Sequence, residues 1–195
     1  CSKFNEIPEY FFSRSAKAPY SFIVTTYGIT AGYTFVDAKK ILANKGLELN
    51  AGFSVKMPDT WTPIFDLSDK AKVQQINNKA ESYIDAVLSG IKERSVGNHM
   101  QGVVPYAVRL FMDPMYNNER KTQHFSVSDK CIGCSLCARK CPVQAIQMKD
   151  KRPVWTKDQC AVCLRCLHHC PTFAIQYGKG ATNRHGQYKN PHVKV

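Results

Sequence analysis

The spacing of apolar positions changes several times along the chain. Ser21 to Tyr27 reads SFIVTTY, β-branched and aromatic, with Gly28 directly after it. Such a run predicts a buried strand entering a glycine-containing loop. From Ala31 to Lys45 the spacing becomes helical. Phe35, Ala38, Ile41 and Leu42 share one face, and Gly46 stands where a C-terminal cap belongs. Leu47, Leu49, Ala51, Phe53, Val55 and Met57 then alternate with the two-residue period of a strand, which Pro58 stops. Strand, helix and strand in this order predict a parallel βαβ unit. Ser68 to Val96 carries the clearest helical stripe: Val73, Ile76, Ala80, Tyr83, Ile84, Val87, Leu88 and Ile91. Ser68 or Asp69 is placed to cap its start and Gly97 to end it. This stripe is expected to cover one face of the sheet.

Beyond this helix the pattern loosens. Residues 98–124 hold Pro105, Pro114 and an Asn-Asn pair, and read as an irregular linker packing on its neighbours. From Gly178 the chain is rich in Gly, Lys, Asn and Pro, and is expected to run as an extended basic surface segment over 178–195. The expected organisation is an α/β domain over 1–97, the linker 98–124, a cysteine-rich module over 125–177 and the tail.

Composition narrows the class. With 44% hydrophobic residues in 195, the chain can build packed cores, which excludes disorder throughout. Ala18 to Val36 is free of charge, but four Thr, a Ser, a Pro and two Gly interrupt it. No membrane span is expected, and no secretory signal. The net charge of +12 is uneven. Residues 1–97 hold 12 Lys and Arg against 10 Asp and Glu, whereas 98–195 hold 15 against 5, a net of +10. A basic half suits nucleic acid, a membrane surface or an acidic protein. The positive residues are scattered, without an aromatic-interleaved strip or a DNA-reading helix, so nucleic-acid binding is not expected.

Eight of the nine cysteines fall between Cys131 and Cys170. Cys131, Cys134, Cys137, Cys141 and Pro142 form C-x2-C-x2-C-x3-C-P, and Cys160, Cys163, Cys166, Cys170 and Pro171 repeat it at an offset of 29 residues. Both halves continue alike, through Val143-Gln144-Ala145-Ile146 and Thr172-Phe173-Ala174-Ile175. This is an internal duplication and predicts a pseudo-twofold module. Cysteines two residues apart in a tight loop turn their sulfurs into one concavity, and inward N–H groups stabilise a negative centre there. Structural zinc favours separated C-x2-C pairs or mixed histidine, and a disulfide framework has no need of two identical dense runs. Iron–sulfur ligation is the reading that remains. His168 and His169, between Cys166 and Cys170, are expected to pack or face solvent. Trp155 is expected to pack on a hairpin, and Cys1 to be a bystander.

From about Phe125 to Tyr177 the chain resembles the bacterial 2[4Fe-4S] ferredoxins, over both cysteine runs, both prolines and both Ala-Ile pairs. The resemblance implies a duplicated βαββαβ-like α+β unit that shuttles single electrons. It implies that Cys131, Cys134, Cys137 and Cys170 hold one [4Fe-4S] cluster, and Cys160, Cys163, Cys166 and Cys141 the other. Two such clusters with their thiolates lower the charge of the basic half to about +6. Such ferredoxins are often acidic and this module is basic, so its redox partner is expected to be acidic, met by Arg139, Lys140 and Arg165.

Val24-Thr25-Thr26-Tyr27-Gly28, Lys56-Met57-Pro58 and the tail from Gly178 to Pro191 resemble flavodoxin–ferredoxin fusion proteins of anaerobes. This implies a partial flavodoxin-like domain with a parallel sheet, and Thr26, Tyr27 and Gly28 beside the ring of an FMN. The Thr-Gly-Asn-Thr phosphate loop of a flavodoxin does not occur, so tight FMN binding is not expected. The chain begins at Cys1 and matches from about the middle of that domain. It is therefore expected to be a fragment or to have lost the front half, and to expose apolar surface that favours self-association. Electron transfer in a reducing cytoplasm is the function these features imply. A flavin-linked reductase of a small substrate is the alternative.

Overall fold

The computed structural model describes residues 19–178 and 182–192. They fall into two units: one holds the described residues up to Pro58 together with Ala71–Arg109, the other Asp59–Lys70 together with those from Leu110 on. Cys1 lies outside the described residues. Among these residues no helix is long and apolar enough to cross a membrane.

The first unit is built on three parallel strands, β1 (Phe22–Tyr27), β2 (Ala51–Lys56) and β3 (Gly97–Asn98), in the order β1-β2-β3. Helix α1 (Thr34–Ala43) joins β1 to β2, completing the parallel βαβ unit expected from the period changes. Gly46 (φ 70°) closes α1 through a Schellman pair, its N–H on the Ala43 carbonyl at 3.0 Å and that of Leu47 on Leu42 at 2.9 Å. The central strand departs from a simple alternation. All of Ala51 to Val55 is buried, the small residues included. A parallel central strand is covered on both faces, so the alternation records side-chain size rather than exposure. Gly52 is small because the Phe35 ring of α1 lies on it, and Ser54 accepts the Gln101 N–H at 2.7 Å.

Helix α2 (Lys70–Lys92) is shorter at both ends than its stripe predicted. Arg94 takes the left-handed conformation (φ 53°), and Ser95 N–H closes on the Gly90 carbonyl at 2.9 Å. Gly97 therefore does not cap the helix but opens β3 opposite Ala51. The stripe is covered in part: Ala80 is buried, whereas Tyr83 (42%), Ile84 (43%) and Leu88 (47%) stay exposed, as do Phe22 and Val24 on β1. The expected apolar exposure is thus present in this unit.

Residues 98–124, expected to be an irregular linker, hold an 11-residue helix, α3 (Arg109–Glu119), and two 3-10 turns. Pro114 lies inside α3, and the breaker signal masked it. The second unit then runs β4 (Phe125–Val127), α4 (Leu136–Arg139), β5 (Ile146–Lys149), β6 (Arg152–Trp155), α5 (Arg165–His168) and β7 (Ile175–Tyr177). β4 pairs antiparallel with β7, and β5 with β6 through Asp150 and Lys151, both at positive φ.

The duplication shows in the backbone. Gly133 and Val162, Ser135 and Leu164, and Gln144 and Phe173 all have positive φ and are related by the 29-residue offset. The core gathers Ala145, Val162, Leu164, Leu167, Ile175 and Tyr177, with Trp61 packed edge-on to Tyr177. Trp61 comes from the Asp59–Lys70 stretch, which the sequence placed in the first domain. The tail also departs from expectation. Instead of running free, it forms helix α6 (Thr182–His185) and packs, with Leu67 N–H on the His185 carbonyl at 2.8 Å and His185 Nδ1 at 2.6 Å from the Thr62 carbonyl oxygen.

Candidate metal centre

Each cysteine run folds in the same steps. A loop ends in a left-handed residue, Ser135 (φ 62°) or Leu164 (φ 51°), a four-residue helix follows, and the fourth cysteine leaves its end. Cys141 N–H meets the Ala138 carbonyl and Cys170 N–H that of Leu167, both at 3.3 Å. Pro142 and Pro171 come next, where the absent N–H costs nothing to a helix already finished. The chain then turns through Gln144 or Phe173 into a fully buried alanine, Ala145 or Ala174. The N–H of each alanine is 3.3 Å from the sulfur of the fourth cysteine in its run.

The eight sulfur-bearing residues gather into two cavities. Cys131, Cys134 and Cys137 of the first run line one cavity with Cys170 of the second. Cys160, Cys163 and Cys166 line the other with Cys141 of the first. Met148 and Pro153 of the hairpin wall the first cavity, and the stacked pair Phe125 and Trp155 (4.7 Å) the second. The middle cysteine of each run, Cys134 and Cys163, reaches the surface.

The electrostatics of the cavities suit a multivalent cationic centre. Burial pushes the Cys137, Cys160 and Cys166 thiols up, so without a cation they hold their protons. Burial alone would also raise Cys170, but hydrogen bonds from the Thr172 hydroxyl and the N–H groups of Ala174, Thr172 and Ile175 outweigh it and lower its value. N–H donors at sulfur favour thiolate and are the contacts that tune iron–sulfur sites. The donors are spread around a cavity, an arrangement that fits a cluster offering a separate iron to each thiolate.

His168 is buried (3%) and fully engaged. Its Nδ1 accepts the Tyr188 N–H at 3.2 Å, so Nε2 carries the proton and donates to the Thr60 carbonyl at 2.9 Å. Burial holds its pKa down, helped by the neighbouring His169 and opposed by the bond to the Thr60 carbonyl. Gln187 Nε2 donates to the carbonyls of Leu167 and Cys170 at 2.6 and 2.9 Å. The tail and the Thr60 stretch thus clamp α5 and the last cysteine. Sequence reasoning missed these supports, because no local pattern couples residues 17 to 108 positions apart.

Thr26 and Tyr27 end β1 in the first unit, with Gly28 directly after, whereas the cysteines belong to the second unit. The Tyr27 ring packs on Gly102, and Ala31 N–H bonds the Gly102 carbonyl at 2.9 Å. Burial raises the Tyr27 phenol.

The βαββαβ order and two cysteine-lined cavities give the second unit the form of a ferredoxin-like iron–sulfur module. Residues 130–184 match the family of 4Fe-4S dicluster domains. No curated protein and no solved structure matches the chain. Binding of [4Fe-4S] cofactor and a role in iron–sulfur electron transfer follow from this match.

Proposed function

We propose that the protein is a one-electron carrier holding two [4Fe-4S] clusters, one on Cys131, Cys134, Cys137 and Cys170, the other on Cys160, Cys163, Cys166 and Cys141. The observation that carries this reading is the sorting of eight cysteines into two cavities, each with three from one run and one from the other. Bound clusters supply reversible one-electron chemistry. The chain's own residues fix the sulfurs, supply N–H donors and exclude water. Crossed ligation ties the two halves of the module together.

The partner of this reading is an acidic redox protein, since residues 98–195 remain basic after cluster charge is allowed for. Exposed Phe22, Val24, Tyr83, Ile84 and Leu88 support self-association of the first unit. Coupling to a flavin at Thr26, Tyr27 and Gly28 rests on the fusion resemblance alone, and we assign it no step. Flavin released on denaturing the native protein would reinstate it.

Iron, acid-labile sulfide and zinc analysis of anaerobically purified protein tests the main reading. About eight irons and eight sulfides per chain are expected. About two zincs without sulfide would overturn it. Cys134→Ala should lose or strongly alter one cluster in electron paramagnetic resonance while sparing much of the other.

A further inference from the structure

A groove of about 1010 Å³ opens beside the second cysteine cavity, with all its lining in the second unit. Three cations line it, Lys140, Arg165 and Lys189, and no carboxylate does. They come from three separate stretches of sequence: the end of the first run, the start of α5 and the tail. The Arg165 Nε is buried without a hydrogen-bond partner. The lining therefore holds no carboxylate to offset these cations.

Cys163 and Arg165 line both the groove and the cavity. The wall between a docked molecule and the second centre is therefore formed by Cys163 and Arg165 together with Pro142, and Cys163 is exposed. Cys134, its counterpart in the first run, lines the first cavity and not this groove. The clamp makes this difference. His168 and Gln187 hold the tail against α5, and that contact brings Lys189 to the rim.

We propose that this groove is the docking surface for an acidic protein partner, whose carboxylate-bearing segment sits on Lys140, Arg165 and Lys189 against the Cys163 edge. The inference rests on reading Cys163 as a cluster ligand. A protein fits better than a nucleic acid because the cations converge in one concavity over a candidate redox edge, and form no extended strip tracking a phosphate backbone. The groove lies at the upper limit of small-molecule sites, about 1,000 Å³, a size that admits a protein loop.

The test uses the full protein, purified anaerobically, and a fluorescent peptide of alternating Glu and Gly. Binding is followed by anisotropy at low and high salt. Lys140→Glu with Lys189→Glu should weaken binding about tenfold or more at low salt, and the loss should shrink as salt screens it. Lys121→Glu with Lys149→Glu makes the same charge change at exposed sites outside the groove, and should weaken binding far less. Equal losses in the two pairs would overturn the proposal. So would tighter, groove-dependent binding of a DNA oligonucleotide of equal charge, or displacement of the peptide by inorganic phosphate at matched ionic strength. Iron and sulfide are measured on every sample. A groove-dependent peptide on protein without sulfide would sink the cluster reading and leave the docking surface standing. A normal cluster content with no groove dependence would do the reverse.

Discussion

Gly133 and Val162 occupy the same place in the two halves of the duplication, and Gly133→Ala tests why one is glycine. Both residues have positive φ, 66° and 44°. The backbone conformation alone costs an L-residue roughly 1–2 kcal/mol. In the second half that cost is accepted, and Val162 is buried in the core. The first half has an additional constraint. A Cβ at Gly133 would stand 2.9 Å from the Lys151 carbonyl oxygen and 3.0 Å from the Lys151 Cβ. These atoms belong to the turn between β5 and β6, itself held at positive φ, so they cannot yield as a side-chain tip would. Overpacking of this kind adds about 1–3 kcal/mol. The sum, about 2–5 kcal/mol, is a large fraction of the roughly 5–15 kcal/mol that holds a domain. Loss of the cofactor makes unfolding irreversible, so the assay is the rate of cluster bleaching on anaerobic heating. Gly133→Ala should bleach faster, with the loss beginning at the site of Cys131, Cys134 and Cys137. Val162→Gly relieves strain but removes a buried side chain worth about 1.5–3 kcal/mol, and should change the rate less. Wild-type bleaching in Gly133→Ala would refute the reasoning, because the turn would then have moved freely.

Two further perturbations examine the two units separately. Gly52→Ala drives a methyl into the Phe35 ring and should destabilise the first unit by about 1–3 kcal/mol, read as an earlier far-ultraviolet transition in urea with the cluster absorbance retained. Gln187→Leu removes two hydrogen bonds from the carbonyls of Leu167 and Cys170, each worth about 0.5–1.5 kcal/mol. It should hasten loss of both clusters on heating, since Cys170 and Cys166 serve different sites; an unchanged rate would mean the tail does not support α5.

Elements whose pattern comes from their own neighbours were legible in the sequence. The SFIVTTY strand and the Gly46 cap followed from local period and spacing, although the strand expected to be buried leaves Phe22 and Val24 exposed, and the crossed grouping of the cysteines was reached through resemblance. What escaped was set at long range. Nothing near Trp61 shows that it will lie on Tyr177, or that the Thr60 carbonyl will accept a hydrogen bond from His168. The alternation over 47–57 was also ambiguous, since a glycine under a phenyl ring and a polar residue facing water look alike in sequence. In 98–124 the prolines spoke for a linker, but α3 forms through Pro114. The βαββαβ order was reached through resemblance, and the backbone supports it with three offset pairs of positive φ.

The places where the two halves differ explain what the duplication alone does not. Ala138 and Arg139 of the first run correspond to Leu167 and His168 of the second. Arg139 is exposed, whereas Leu167 and His168 are buried beneath the 59–70 stretch and the tail. A symmetric two-site module would present equivalent edges to any partner. Here one edge is reinforced and lined with cations, and the other keeps a bare Cys134 beside the apolar Ile132. Charge complementarity acts mainly on encounter rate and on register. The polarity of the module therefore lies in the stretches outside the repeat. Cutting the chain after Tyr177 should leave the cysteine code intact while removing Lys189, Gln187 and the contact to His168. If both clusters then assembled at wild-type yield and the acidic peptide still bound as tightly, the asymmetry would be an accident of packing. Loss of peptide affinity out of proportion to loss of iron would locate the partner-facing end where the tail places it.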